Sequence, residues 1–313
     1  MHTDLEHMVR PYPDWFAETF EVARKEHTFD IDGVSIHGFS WGDPTKPAVV
    51  LLHGMMAHAR CWAFIAPMLA EHYHLAALDF SGMGDSGWRQ SYSLEQRAEE
   101  AKGFAQALGM RAPTLVCHSF GGSVGLTAVE GSADFWARLI ICDMSMFRKQ
   151  DMAEFHQRRM SRPGMPGRND QPRAHRVYAD LPTALERFRL APEQPCANDY
   201  LVEYMGLHSL RAADTGTGWQ WKFDPGIIGA AHLNDDDFWL GLAPRFAALT
   251  LPKAMVYGEH STLFPEPIAE HLRGLCPPST PIVQVPGAHH HLMLDQPQAL
   301  TGTLRGLLEA LSS

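Results

Sequence analysis

The apolar positions of this chain follow two rhythms. Phe29, Ile31, Val34 and Ile36 alternate with polar residues around Asp32-Gly33, and alternation across such a turn pair predicts a short antiparallel hairpin. Four later runs do not alternate. Ala48–Leu52, Leu75–Leu78, Thr114–Val116 and Leu139–Cys142 are continuously apolar, which predicts strands covered on both faces, as in a parallel sheet. Between them, Trp62, Ile65, Met68, Leu69 and Tyr73 recur at helical spacing, a second helix is expected from about Leu94 to Leu108, and a third from Gly122 to Glu130. Strands and helices taking turns predict the α/β class, a mostly parallel central sheet with helices on both faces.

The rhythm breaks from about Met144 to Leu240. No clean strand is legible there, and Arg-, Pro- and Gly-rich stretches such as Ser161–Arg168 separate short helical segments. It resumes at Lys253–Gly258 and Pro281–Val285, and a final helix carries Leu300, Leu304, Leu307, Leu308 and Leu311 on one face. The expected organisation is a core domain in two parts, residues 1–143 and 246–313, interrupted by a helical cap over residues 144–245.

Composition narrows the partners. With 45% hydrophobic and 20% charged residues the chain is of ordinary globular type. A formal net charge of −10 and no basic stripe argue against nucleic acid or an anionic membrane, because phosphate binding needs clustered Lys and Arg. The start is broken by Asp4, Glu6, Arg10, Pro11 and Pro13, and no eighteen apolar residues run together, so a cytoplasmic location is expected. Five scattered cysteines without a C-x-x-C pair read as buried free thiols. His289-His290-His291 is not read as a metal tract, because consecutive side chains of an extended segment point to alternating faces.

The chemistry concentrates at Cys117-His118-Ser119-Phe120-Gly121-Gly122, between a strand and a helix. A serine on so sharp a turn exposes its hydroxyl, and the next backbone N–H becomes available to a developing oxyanion. Cys117 stands where the G-x-S-x-G pattern has its first glycine. Gly82-Met83-Gly84-Asp85-Ser86-Gly87 matches the dinucleotide fingerprint G-x-G-x-x-G, but Trp88 to Ser93 reads as loop rather than as an opening helix. It is better read as a tight turn beside the site.

In this order the pieces resemble the α/β-hydrolase family over nearly the whole chain: the strand ending in His53-Gly54, the Asp79-to-Gly87 turn, the elbow at Ser119, and the late Val285–Pro297 segment. The resemblance implies a Ser, acid, His order with Ser119 as nucleophile and His290, seven residues before Pro297, as base. The acid is Asp143, after the strand that follows the elbow helix, or alternatively Glu259. Ser261 occupies the position where many relatives carry an aspartate. The backbone N–H groups of Met55 and Phe120 are the implied oxyanion hole. Met56, Met144, Trp219 and Trp221 are candidates for substrate contact, and Phe188, Phe223 and Trp239 for the border of an apolar slot.

The implied activity is a serine hydrolase of small, largely apolar carboxylic esters, with lactones or thioesters included, working through an acyl-enzyme and needing no cofactor. A carbon–carbon bond hydrolase or a cofactor-free lyase using the same triad stays open. So does a catalytically silent small-ligand binder, which Cys117 and Ser261 motivate.

Overall fold

A computed structural model describes residues 3–160, 176–229 and 235–312. The expected stretch Ser161–Arg168 lies outside them. After a short helix α1 (Asp14–Thr19), strands β1 (Arg24–Ile31) and β2 (Val34–Trp41) form the hairpin, with Ile31 opposite Val34. Asp32 and Gly33 both take positive φ, 52° and 74°, the turn geometry that matches the right-handed twist of paired strands.

Next come β3 (Ala48–Leu52), β4 (His74–Leu78), α2 (Leu94–Ala107), β5 (Thr114–His118), α3 (Phe120–Gly131) and β6 (Arg138–Cys142). An insertion follows, with α4 (Met152–Met160), α5 (Leu181–Leu185), α6 (Asp199–His208), β7 (Leu210–Ala212), β8 (Trp219–Trp221) and α7 (Asp236–Ala248). The chain closes with β9 (Lys253–Gly258), α8 (Glu266–Leu275), β10 (Ile282–Val285), α9 (Leu292–Asp295) and α10 (Pro297–Ala310). The main sheet runs β1-β2-β4-β3-β5-β6-β9-β10. The β1/β2 and β2/β4 pairs are antiparallel and the remaining pairs parallel.

Two cores explain why the central strands are apolar without a break. Successive side chains leave a strand on opposite faces, so Val49, Leu51, Val116 and Ile140 enter one core with Leu300 and Leu304 of α10. Val50, Leu52, Leu115 and Ile141 enter the other, with Phe104 of α2 and Val124 of α3. The insertion also contributes to both. Tyr204 of α6 packs in the first core and Phe246 of α7 in the second.

Two expectations need correction. The apolar positions from Trp62 to Tyr73 do not form one α-helix but two 3₁₀ turns, Ala59–Trp62 and Ala66–Leu69; Pro67, which lacks an N–H and crowds the preceding turn, sits near the start of the second and disfavours one continuous α-helix. The insertion is not purely helical, because β7 and β8 pair antiparallel and Tyr178 bridges Trp219. Three-residue strands are too short to leave a periodic signal, and the turn between them relies on positive φ at Gly216 and Gly218.

Candidate active site

Ser119 links β5 to α3 with φ 53° and ψ −122°, a conformation side chains rarely adopt. Its N–H donates to the Cys142 carbonyl at 2.9 Å, and the Gly122 N–H donates to the Ser119 carbonyl at 2.8 Å. The turn is tight because its neighbours carry no Cβ. A Cβ on Gly121 would lie 2.6 Å from the His53 carbonyl oxygen, and one on Gly122 2.8 Å from Met144 Sδ. Cys117 fits in place of glycine because Gly125, one helical turn on, leaves it space; a Cβ there would lie 2.6 Å from Cys117 Sγ. Met56 and Asp143 also hold positive φ, 56° and 53°. Such strain costs on the order of 1–3 kcal/mol per residue and clusters at functional sites.

His290 follows β10, and its Nδ1 lies 2.7 Å from Asp143 Oδ1. Asp143 is fully buried and follows β6 directly. Its carboxylate is fully engaged: Oδ1 also accepts the Ser261 hydroxyl at 2.7 Å, and Oδ2 accepts the Gly258 N–H at 2.9 Å. With Nδ1–H donating to Asp143, Nε2 is the ring atom left to take up a proton. His118 donates its Nε2–H to the His290 carbonyl at 2.9 Å. Burial, reinforced by the neighbouring His290 and His291 rings, holds His118 well below the usual histidine range, so it stays neutral.

Glu259 is engaged elsewhere, accepting the Gly287 N–H at 2.8 Å. His289 donates its backbone N–H to Asp295 at 2.7 Å, and His291 donates its own to Gln194 Oε1 at 3.0 Å. Burial lowers the His291 ring to about 3.

His53 organises the loop after β3. Its Nδ1–H donates to the Gly54 carbonyl at 2.7 Å, and its Nε2 accepts the Phe80 N–H at 3.1 Å. Burial lowers its pKa to about 4, so it holds this pattern as a neutral ring. The peptide unit is planar and trans, so anchoring the Gly54 oxygen aims the Met55 N–H the opposite way. Phe120 opens α3, where first-turn N–H groups are not used by the helix's own ladder.

Ser119, His290, Met55 and Met56 border one pocket of about 250 Å³, walled by Cys61, Met205, Met293 and Leu294 and, from the insertion, by Phe188, Trp221 and Phe223. The other candidates for substrate contact stand elsewhere, which corrects the expectation for them. Met144 is buried behind Gly122, with Sδ 3.6 Å from Ser123 Oγ. Trp219 shares a strand face with Trp221 but lies two residues, about 6.6 Å, further along it, against Tyr178. Trp239 packs on Phe147 with ring centroids 5.8 Å apart. The pocket also contains Arg187 and Arg189, which the pattern reading did not single out. Their signal was available as two cations flanking Phe188.

Among the described residues, His37, Asp79 and Asp85 bring possible metal-ligand atoms within 4.8 Å of one another. Asp79 already accepts the His37 ring N–H at 2.7 Å and the backbone N–H groups of Ala59 and Asp85 at 2.6 and 2.9 Å. A cation there would compete with three donors. The cluster reads as the anchor of the Asp79–Gly87 turn.

A doubly covered parallel sheet that presents a serine on a strained strand-to-helix turn defines a class of hydrolase folds. The model of the alpha/beta hydrolase family matches residues 49–302, and the chain belongs to that family. It is 27% identical over 285 residues to Esterase Rv0045c of Mycobacterium tuberculosis, across 88% of this chain and 87% of the relative. The uncharacterized hydrolase YugF of Bacillus subtilis is 25% identical over 124 residues, 39% of this chain and 45% of that protein. The crystal structure of E-2-(acetamidomethylene)succinate hydrolase superposes with a TM-score of 0.74 at 18% identity, covering 92% of this chain and all 100% of that one. The thioesterase domain from the curacin biosynthetic pathway gives 0.71 at 21%, covering 90% and 99%. Both structural likenesses show the fold. Among the described residues no helix is long and apolar enough to cross a membrane.

Proposed function

We propose that the protein is a serine hydrolase that cleaves small carboxylic esters, lactones and thioesters included, through an acyl-enzyme. The observation that carries this reading is the short Asp143–His290 contact at a pocket that also contains Ser119. The likeness to an esterase over most of both chains supports the ester class.

In this mechanism His290 Nε2 takes the Ser119 proton as Oγ attacks the acyl carbon, and the carbonyl electrons move to oxygen. The Met55 and Phe120 N–H groups hold that oxyanion; each such donor is worth about two to three orders of magnitude in turnover. Collapse expels the alcohol, which takes its proton from His290. Water, deprotonated by the same ring, then releases the acid. Asp143 keeps the imidazole in the required tautomer. The described part of the insertion, through Phe188, Met205, Trp221 and Phe223, acts as the cap over the pocket, and Met205, Met293 and Leu294 favour an apolar acyl or alcohol chain.

The test is labelling with a fluorophosphonate probe followed by mass spectrometry of the acyl-enzyme trapped from an ester, lactone and thioester library. Labelling that is lost in Ser119→Ala supports the reading. An unlabelled wild-type protein overturns it in favour of a ligand binder.

A further inference from the structure

We infer that Arg187 and Arg189 form a cationic rim that selects esters bearing an anionic group, a carboxylate or a phosphate, remote from the bond cleaved. The inference rests on the serine-hydrolase reading and adds the substrate's charge to it.

Four observations converge. Both arginines line the pocket that contains Ser119 and His290, and among the described residues no Asp or Glu lines it. In a chain of net charge −10, the mouth of the candidate site therefore carries the opposite sign, an arrangement that draws in anions and fixes their orientation.

The pairing pattern of the arginines points the same way. Arg24, Arg60, Arg89, Arg245 and Arg273 each pair with an Asp or Glu, while Arg138 and Arg305, away from the pocket, donate to backbone carbonyls. Among the described residues, Arg187 and Arg189 pair with no carboxylate. Arg189 instead spends Nη1 on the carbonyls of Glu186 and Phe188, at 2.8 and 2.6 Å, which orients its fork without neutralising it. A planar guanidinium suits bidentate capture of a carboxylate or phosphate.

The turn that carries them is also held in place. Phe188 lies between the two arginines and packs on Trp221 at 6.2 Å between ring centroids. A few residues on, Gln194 Nε2 donates to both oxygens of Asp295 at 2.9 and 2.8 Å, and Asn198 Nδ2 donates to the Leu294 carbonyl at 2.8 Å. The rim is thus tied to the segment that follows His290. Between rim and serine the walls are apolar, Leu190, Met205 and Leu294 among them. The substrate that matches is amphiphilic, with a cleavable carbonyl at one end, an apolar spacer and an anion at the other.

The experiment compares kcat/KM for two matched pairs in the full chain and in Arg187→Gln/Arg189→Gln. One pair is mono(4-nitrophenyl) glutarate against its methyl ester, which places a carboxylate on the acyl side. The other is butyryl-coenzyme A against butyryl-N-acetylcysteamine, which places phosphates on the leaving-group side. The wild type is expected to prefer the anionic member of one pair about tenfold, the scale of two exposed ion pairs. That preference falls at least fivefold in the double variant and shrinks in 0.5 M NaCl, the behaviour of screened charges. Ratios near one in both pairs, or a preference the double variant keeps, overturn the inference. Fluorophosphonate labelling separates the two levels: a labelled enzyme without charge preference sinks the rim alone, and an unlabelled one sinks the hydrolase reading and the rim with it.

Discussion

Ser261 donates its hydroxyl to the same Asp143 oxygen that receives the His290 ring, both at 2.7 Å. Ser261 and His290 therefore converge on one carboxylate oxygen, and under the proposed mechanism the serine supports the acid that orients the base. Its oxygen also accepts the Leu263 and Phe264 N–H groups, at 3.2 and 3.1 Å, so its lone pairs and its proton are all directed. Ser261→Ala is expected to lower kcat about tenfold, the worth of one hydrogen bond to a charged group, and Ser261→Thr to restore most of it. Equal kcat for the alanine variant and wild type would show the contact to be idle.

Under the proposed mechanism, removing the charge of Asp143 should matter far more. Asp143→Asn is expected to reduce kcat by about ten-thousandfold through loss of the correct tautomer, whereas Glu259→Gln, altered at a group bound to Gly287 N–H, leaves it within about twofold, a surface-sized effect. Steady-state kinetics on a 4-nitrophenyl ester decide, and a reversed ranking would reassign the acid.

Cys117 and Gly125 should be energetically coupled. Gly125→Ala forces a methyl against Cys117 Sγ in a fully buried site, and overpacking of this kind costs about 1–3 kcal/mol. The second change Cys117→Ala opens room for it. Urea unfolding of the two single variants and the double variant is expected to give a favourable interaction energy of about 1 kcal/mol or more, and strict additivity would refute the contact.

Stability should fall on mild acidification. Burial lowers His53 and His58 from 6.5 to about 4. Each ring is neutral in the folded protein, while the unfolded chain protonates it below about 6.5. Their contribution is therefore complete above pH 6.5 and is lost as pH falls toward 4, at up to about 1.4 kcal/mol per unit for each ring. Urea midpoints measured between pH 7.5 and 4.5 report this. His58→Gln is expected to flatten the curve, and a wild-type stability independent of pH over that range would contradict the assignment.

The sheet was legible because its strands must be apolar on both faces, and Val49 to Leu52 or Leu139 to Cys142 can serve no other purpose so economically. Ser119 announced itself through the glycines its turn requires. The acid did not, since a choice between Asp143 and Glu259 depends on which carboxylate reaches His290 across the β6 and β9 ends, a distance no spacing encodes. The helix read from Trp62 to Tyr73 failed for a local reason, Pro67. Met144 and Trp219 failed for a tertiary one: an apolar side chain near a site is recruited to the core as readily as to the pocket. Arg187 and Arg189 stand as two cations flanking Phe188 in the sequence, but that spacing does not tell that the turn carrying them folds over the pocket of Ser119.

Gln194 and Asn198 reach from the insertion to the His291 N–H, the Asp295 carboxylate and the Leu294 carbonyl. An engineer seeking new specificity cannot treat the cover as an interchangeable part. A donor segment lacking those two amides would strip partners from the stretch next to His290, the base of the proposed mechanism, and turnover is expected to drop before selectivity could be judged. A workable chimera of this chain has to bring Leu292–Asp295 along with the replacement.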